Sequence, residues 1–110
     1  MSKTIAASIS EKEFMAQVVQ LLKLFQWKYY HTYRSTRSPE GFPDLILVRG
    51  CVVLAVELKS EKGKVTEAQE EWLSALRKTA VKVKIWRPSD WEDIVKCLQN
   101  DNKVARQLLR

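Results

Sequence analysis

The residues that decide the fold are 41–59, which read GFPDLILVRGCVVLAVELK. Two runs rich in strand-forming apolar residues, 44–48 and 51–59, are separated only by Arg49 and Gly50, and this spacing predicts a tight β-hairpin. The second run is almost entirely apolar, as is typical of a central strand covered on both faces. The sequence therefore predicts a sheet built around this hairpin.

The segments on either side of the hairpin show helical periodicity, capping residues and one further alternating run. Ser10 with Glu13, and Thr66 with Gln69, have the spacing of capping boxes that begin helices. The predicted elements are a helix over 11–27, a strand over 29–33, the hairpin, a helix over 66–78, an edge strand over 81–86 and a helix over 88–98. This α-β-β-β-α-β-α order predicts an α/β fold, with a mixed four-stranded sheet flanked by helices on both faces.

Length and composition favour one domain. The chain has 110 residues, 45% of them hydrophobic and 29% charged, with Gly and Pro confined to the predicted turns. We expect a single domain over 1–110, with a core at about 10–98 and tails at 1–9 and 100–110. The sequence contains neither a run long enough to span a membrane nor a signal peptide, so we expect an intracellular, cytoplasmic location, which for a viral protein is the host cytoplasm.

Charge and cysteine content narrow the class of protein further. The net charge of +6 makes a polyanionic partner a candidate, although surface lysines retained for solubility explain the surplus equally well. Residues 14–39 contain four basic residues and no acid, so the few acids nearby need individual explanations. Cys51 and Cys97 lack zinc-site or CxxC spacing and lie in apolar runs, which predicts buried free thiols and excludes a disulfide scaffold.

The candidate chemistry lies at the end of the second hairpin strand. Glu57 and Lys59 are two residues apart and share a face, and a weak surface ion pair is one interpretation. With a two-residue loop, Asp44 pairs with Ala55 and lies diagonal to Glu57 on that face, roughly 7–8 Å away. Two carboxylates at this separation can bind one hard divalent cation, whereas a three-residue loop would put them on opposite faces.

Two helices can add polar groups to these residues. At about 100° per residue, Glu11 lies at the edge of the apolar stripe of the first helix, whereas Glu13 points to the side and serves as the capping partner. The alternative role of Glu11 is a favourable charge near a helix N-terminus. Gln69 begins an apolar stripe with Trp72, and is either an exposed capping residue or an amide that reaches a metal-bound water or a phosphate.

These residues together resemble the virus-type replication-repair nuclease (VRR-NUC) family of the PD-(D/E)xK nuclease superfamily. The motif residues are Glu11, Gly41-Phe42-Pro43-Asp44-Leu45, Glu57-Leu58-Lys59 and Gln69 with Trp72, and the similarity continues through Gln26-Trp27, His31, Ser35, Arg37-Ser38 and Trp86-Arg87-Pro88. ExK alone is a weak signal, but Gly-x-Pro-Asp, ExK thirteen residues later and a helical Gln ten residues after that form a specific combination. Gln26 departs from the family, where glycine is expected.

The resemblance covers roughly residues 10–95 and implies a restriction-endonuclease-like core that hydrolyses phosphodiester bonds with the help of a metal. The implied ligands of Mg²⁺ or Mn²⁺ are Asp44, Glu57, the backbone carbonyl of Leu58 and, directly or through water, Glu11. Lys59 would orient the attacking water and offset charge on the phosphate oxygens, and Gln69 would assist positioning.

Residues 31–38, HTYRSTRS, then become a candidate phosphate-binding loop, the alternative being an ordinary solvated loop. For His31, a satisfied strand histidine and a phosphate contact are both open. The candidate DNA contacts are His31, Arg34, Ser35, Arg37, Ser38 and, more weakly, Arg87.

Stand-alone members of this family resemble Holliday-junction resolvases that act as homodimers. We therefore expect a metal-dependent DNA endonuclease acting on structured DNA, most specifically a Holliday-junction resolvase. Two symmetric cuts need two sites, and the apolar edge around Val83, Ile85 and Trp86 is a candidate dimer interface. The alternatives are a flap, nicking or restriction-like endonuclease, and a non-catalytic DNA-binding module of the same fold.

Overall fold

The computed structural model describes residues 3–33 and 36–108, with side chains described for 4–33 and 36–99. The elements are α1 (Lys3–Ser8), α2 (Glu11–Leu24), β1 (Lys28–His31), β2 (Leu45–Arg49), β3 (Val52–Leu58), α3 (Glu67–Arg77), β4 (Lys82–Trp86), a 3-10 turn (Pro88–Asp90) and α4 (Trp91–Leu108). The strands are ordered β1-β2-β3-β4, and only β3 and β4 are parallel. The predicted α/β fold, with its mixed four-stranded sheet and β4 at an edge, is confirmed.

Alternation along β3 divides the sheet into two faces. Leu54, Val56 and Leu58 lie in the main hydrophobic core together with side chains of α2 and α4. The residues between them, Ala55 and Glu57, point to the opposite face, where α3 packs. Glu57 is therefore buried under α3, and the end of the strand does not carry it into solvent as the surface ion-pair interpretation requires.

The hairpin register differs from the predicted one. Arg49 pairs with Val52, so the loop is Gly50-Cys51 and not Arg49-Gly50. Gly50 has a φ of 61° at the first central position, where a type II′ turn favours glycine. Continued by one residue, this register sets Asp44 directly opposite Glu57 instead of diagonal to it, and the two still share a face because the shift in pairing is even.

The same turn corrects the prediction for the cysteines. Cys51 lies at the tip of the hairpin and is exposed, and Cys97 is half-buried, so neither is the buried thiol that its apolar neighbours suggested. Neither cysteine forms a disulfide bond, as predicted.

Helix α2 ends three residues earlier than predicted because the chain turns in a Schellman motif. The N–H of Trp27 donates to the carbonyl of Leu22 at 2.8 Å, and that of Gln26 donates to Lys23 at 3.3 Å. Gln26 takes a φ of 62°, the left-handed conformation that glycine adopts most easily. Its departure from the family pattern therefore affects a helix end.

The two ends of the chain carry more helix than the sequence predicted. Helix α1 lies within the segment expected to be a tail, and Ala6 and Ile9 are buried as this segment packs near the 3-10 turn. Helix α4 continues to Leu108, ten residues beyond its predicted end. No helix in the described ranges is both long and apolar enough to cross a membrane.

Candidate active site

The centre of the site is a pair of facing carboxylates, Asp44 and Glu57. Asp44 immediately precedes β2, and its Oδ2 accepts a hydrogen bond from the backbone N–H of Leu58 at 2.8 Å. Glu57 is only 2% exposed, and its Oε1 accepts from Nε2 of Gln69 at 3.1 Å. In the part of the chain that the structure describes, no group donates to Oε2 of Glu57. A buried carboxylate is thus left half-satisfied beside a second one.

This environment changes the protonation of Glu57. Burial, followed by the negative charge of the facing Asp44, raises the pKa of Glu57 to about 8. Glu11 raises this pKa further, and Lys59 opposes the rise. The protonated form of Glu57 is therefore favoured to a higher pH than in an ordinary carboxyl group.

Proline at position 43 explains why the Leu58 main chain is available here. By the hairpin register, Pro43 stands opposite Leu58, where two residues would normally exchange two backbone hydrogen bonds. Proline has no N–H to donate, and the N–H of Leu58 goes to the Asp44 side chain. The Leu58 carbonyl, on the same side of the strand, is left without its ladder donor.

Glycine at position 41 brings the loop before Asp44 against helix α3. Gly41 has a φ of 97°, and a Cβ there would lie 2.4 Å from backbone atoms of Ala68. The ring of Phe42 packs edge-on against Trp72, with centroids 5.0 Å apart. These contacts fix the start of α3 next to the carboxylate pair.

Gln69 combines the capping role with a contact to the site. Its Oε1 accepts from the N–H of Thr66 at 2.9 Å, while the Thr66 hydroxyl accepts from the Gln69 N–H at 3.2 Å, completing the predicted capping box. Its Nε2 is directed to Glu57. The two interpretations of Gln69 are therefore compatible, and the contact to water or phosphate stays a prediction.

Lys59 continues β3 beyond its last paired residue. Its backbone N–H donates to the carbonyl of Trp86 at 3.0 Å, which extends the parallel ladder and keeps Lys59 on the face of Glu57. The side chain is only 7% exposed, and its charge lowers the pKa of Glu57. The predicted neighbourhood of carboxylate and amine is present.

A cleft of about 270 Å³ opens beside the carboxylate pair. It is lined by Glu11, Lys12, Met15, His31, Asp44 and Leu58. Glu13 is not among its lining residues. The Ser10 hydroxyl accepts from the Glu13 N–H at 3.1 Å and donates to its carboxylate at 2.9 Å, so this cap uses the hydroxyl in place of the reciprocal backbone bond. Of the two acids, only Glu11 faces the site.

Two residues of this cleft were not predicted. Met15 is four residues after Glu11 and shares its helical face, so the angle used to choose Glu11 also indicated Met15. Lys12 gave no such signal, because an exposed lysine beside a capping segment is common.

The predicted DNA contacts are spread over several surroundings. His31 is half-buried, lines the cleft and stacks on Tyr33 with ring centroids 4.5 Å apart. Arg37 and Ser38 are exposed, and Arg34 and Ser35 lie outside the described residues. Arg87 is directed elsewhere, since its Nη1 donates to three backbone carbonyls after β3. Apart from Arg87, the described candidates lie in the cleft or in the loop after β1.

The donor set suits a hard divalent cation. Within the described ranges, no three His, Cys, Asp or Glu side chains lie close enough together to hold a metal ion. The side-chain ligands at this place are therefore the two carboxylates of Asp44 and Glu57. The unpartnered Oε2 of Glu57 and the freed Leu58 carbonyl add oxygen donors at the same place. A cation bound there would offset the repulsion between the two carboxylates.

Two acids and a lysine at one end of a mixed sheet are the arrangement expected of a nuclease-type DNA-processing domain. The comparisons agree, since the VRR-NUC domain model matches residues 3–91 and the chain belongs to this family. A solved structure described as a VRR_NUC domain protein has the same fold, with a TM-score of 0.65 and 23% identity, over 83% of this chain and 86% of that chain. A search of curated proteins found no match.

Proposed function

We propose that the protein is a metal-dependent endonuclease that hydrolyses phosphodiester bonds in structured DNA. The observation that carries the proposal is the facing pair of Asp44 and Glu57, in which one buried oxygen has no donor among the described residues. Burying a carboxylate against a second one is costly in folding free energy, and a bound cation would offset that cost. A non-catalytic DNA-binding module has no use for carboxylates facing a phosphate, so the pair favours the enzyme.

In this proposal the residues divide the work by their chemistry. Asp44, Glu57 and the Leu58 carbonyl would hold Mg²⁺ or Mn²⁺, with Glu11 bound directly or through a water. The metal would polarise the phosphate and lower the pKa of a bound water. Lys59 would orient the attacking water and offset the charge that develops on the phosphate oxygens. Gln69 would hold Oε1 of Glu57, so that Oε2 stays directed at the cation.

The basic residues around the cleft would bind the DNA backbone. Lys12 and His31 line the cleft itself, and Arg37 and Ser38 are exposed in the loop after β1. Arg34 and Ser35 belong to the same proposed phosphate-binding loop. With a net charge of +6, we expect affinity for DNA to fall steeply as salt is raised.

For the substrate, we propose a four-way DNA junction cut by a homodimer, inside the cell where such junctions arise. Two symmetric cuts require two sites related by a two-fold axis. Trp86, one of the residues predicted at the interface, is 5% exposed and belongs to the core, so it is not available for this purpose. Tyr30 and Val48, which are 65% and 37% exposed on the sheet face that α3 leaves open, offer the second copy a better apolar surface.

Cleavage assays with labelled DNA test the proposal. A four-way junction, a flap, a nicked duplex and a linear duplex are each incubated with Mg²⁺, Mn²⁺ or EDTA, alongside a measurement of solution mass. We expect metal-dependent cleavage that is fastest on the junction, from a dimer. Faster cutting of flaps or nicks would favour the alternative endonucleases, and binding without cleavage in both metals would favour the DNA-binding module.

Matched variants separate catalysis from folding in the same assay. Asp44→Asn keeps an acceptor for the Leu58 N–H, and Lys59→Met keeps the apolar stem, so both should fold and bind DNA but fail to cut. Glu13→Gln is the control, because Glu13 lies in the same first turn as Glu11 and faces its own cap.

A further inference from the structure

The side chain of Arg87, which follows β4, donates its hydrogen bonds to a single loop. Its Nη1 donates to the carbonyl of Ser60 at 2.7 Å, to that of Gly63 at 2.7 Å and to that of Glu61 at 3.2 Å. Three carbonyls converging on one nitrogen of a half-buried guanidinium form a cap for the turn at residues 60–63. A phosphate contact through this nitrogen would require it to leave all three carbonyls.

The segment around Arg87 holds the same loop at two more points. The N–H of Ser89 donates to Oε1 of Glu61 at 3.1 Å, and the N–H of Lys59, just before the loop, donates to the carbonyl of Trp86 at 3.0 Å. The turn itself is closed by the N–H of Gly63 bonding to Ser60 at 3.2 Å. The end of β4 therefore fixes the course of the chain immediately after Lys59.

The loop also passes close to Glu11, the acid that α2 contributes to the site. A Cβ added at Gly63 would lie 3.4 Å from Oε1 of Glu11 and 2.8 Å from Oγ of Ser60. The turn is therefore closely apposed to the Glu11 carboxylate at one end and continuous with Lys59 at the other. A displacement of this turn would move both groups relative to the carboxylate pair.

We propose that Arg87 is a positioning residue, whose guanidinium holds the turn at 60–63 so that Lys59 and Glu11 keep their places beside Asp44 and Glu57. This inference rests on the proposed nuclease function and deepens it. It assigns Arg87 to the assembly of the site instead of to the DNA contact suggested by its basic charge. Arginine suits this role because its planar, weakly hydrated guanidinium holds Nη1 rigidly at the point where the three carbonyls converge, whereas the lysine ammonium is strongly hydrated and sits on a flexible stem.

Single-turnover cleavage by Arg87→Met and Arg87→Lys tests the proposal, with DNA affinity measured across salt concentrations. We expect both variants to cut at least about tenfold more slowly, since small misplacements of catalytic groups have large effects on rate. DNA affinity and its salt dependence should stay at the wild-type values. Arg77→Met, which removes an exposed arginine of α3 paired with Glu70, is the matched control and should cut normally.

A second variant reaches the same turn without altering Arg87. Gly63→Ala places a methyl group against Ser60 and Glu11, so it should slow cleavage while leaving DNA affinity unchanged. Trypsin adds a readout that needs no activity. Lys62 and Lys64 are exposed on or next to the turn. We expect proteolysis after these two lysines to accelerate in both Arg87 variants, whereas proteolysis after the exposed Lys78 should not.

The outcomes discriminate between the two roles of Arg87 and between the two proposals. The inference would be overturned if Arg87→Met lost DNA affinity but kept its cleavage rate. The slope of log affinity against log salt would then fall by about one, which identifies Arg87 as a DNA contact. If the wild-type protein cuts no DNA, the proposed function fails on its own. The trypsin measurement then decides, because unchanged cleavage at Lys62 and Lys64 refutes the hold on the turn.

Discussion

Replacing Glu57 with glutamine should stabilise the metal-free protein, although it removes a central residue of the site. Burial and the neighbouring Asp44 raise the pKa of Glu57 from 4.5 to about 8 in the folded state. Folding at neutral pH therefore takes up a proton. Because the pKa of Glu57 is raised in the folded state, its contribution to the free energy of unfolding is fully present below pH 4.5 and is lost as the pH rises towards 8.

The size of the effect follows from the same two pKa values. At pH 7, which is about 2.5 pH units above 4.5, the lost contribution to the free energy of unfolding is about 3 kcal/mol, at about 1.36 kcal/mol per unit. Glutamine carries no proton to lose, and its amide can still accept from Gln69 and donate to Asp44. Glu57→Gln should therefore be more stable than the wild type by about 3 kcal/mol at pH 7, and by less than about 1 kcal/mol at pH 4.5.

Urea denaturation in EDTA at these two pH values measures the difference. The control is Glu71→Gln, an exposed carboxylate on α3, which should show no such dependence on pH. Added Mg²⁺ should raise the stability of the wild type but not that of Glu57→Gln, because the bound cation replaces the proton. If the stability gap between Glu57→Gln and the wild type is the same at pH 4.5 and pH 7, the reasoning about the carboxylate pair is wrong.

Three further substitutions test other parts of the structure. Gln26→Gly should raise the unfolding free energy by about 0.5–1 kcal/mol, since relief of the left-handed conformation outweighs the backbone entropy that glycine loses, and urea denaturation measures it. Gly41→Ala should lower it by more than about 2 kcal/mol and impair cleavage, because of the positive φ and the overlap with the α3 backbone. Glu11→Gln should slow cleavage at least about tenfold while Glu13→Gln does not, and the reverse order of rates would contradict the choice between them.

The carboxylate pair could be predicted from the sequence because its geometry depends on parity. The predicted loop was displaced by one residue, yet Asp44 and Glu57 stayed on one face, since a side chain changes face only when the pairing shifts by an odd number. The position of Gln69 was equally accessible, because a capping box fixes the first turn of a helix.

Other features could not be predicted because they depend on contacts between distant segments. Nothing local distinguishes Arg87 on a surface loop from Arg87 bound to three carbonyls more than twenty residues earlier. Cys51 looked buried because its neighbours are apolar, and only the position of Gly50 in the turn shows that it lies at the tip. Helix α1 has too few residues for periodicity to reveal it.

Pro43 removes one backbone hydrogen bond from the hairpin at a defined position. Because this imino acid has no N–H, the carbonyl oxygen of Leu58 on the facing strand lacks its usual donor and can accept another ligand. A main-chain atom cannot be exchanged by mutagenesis, so its contribution can be reached only from the opposite strand. Pro43→Ala would return an amide hydrogen to compete for that oxygen, weakening the hold on cations while every acidic side chain stays in the chain.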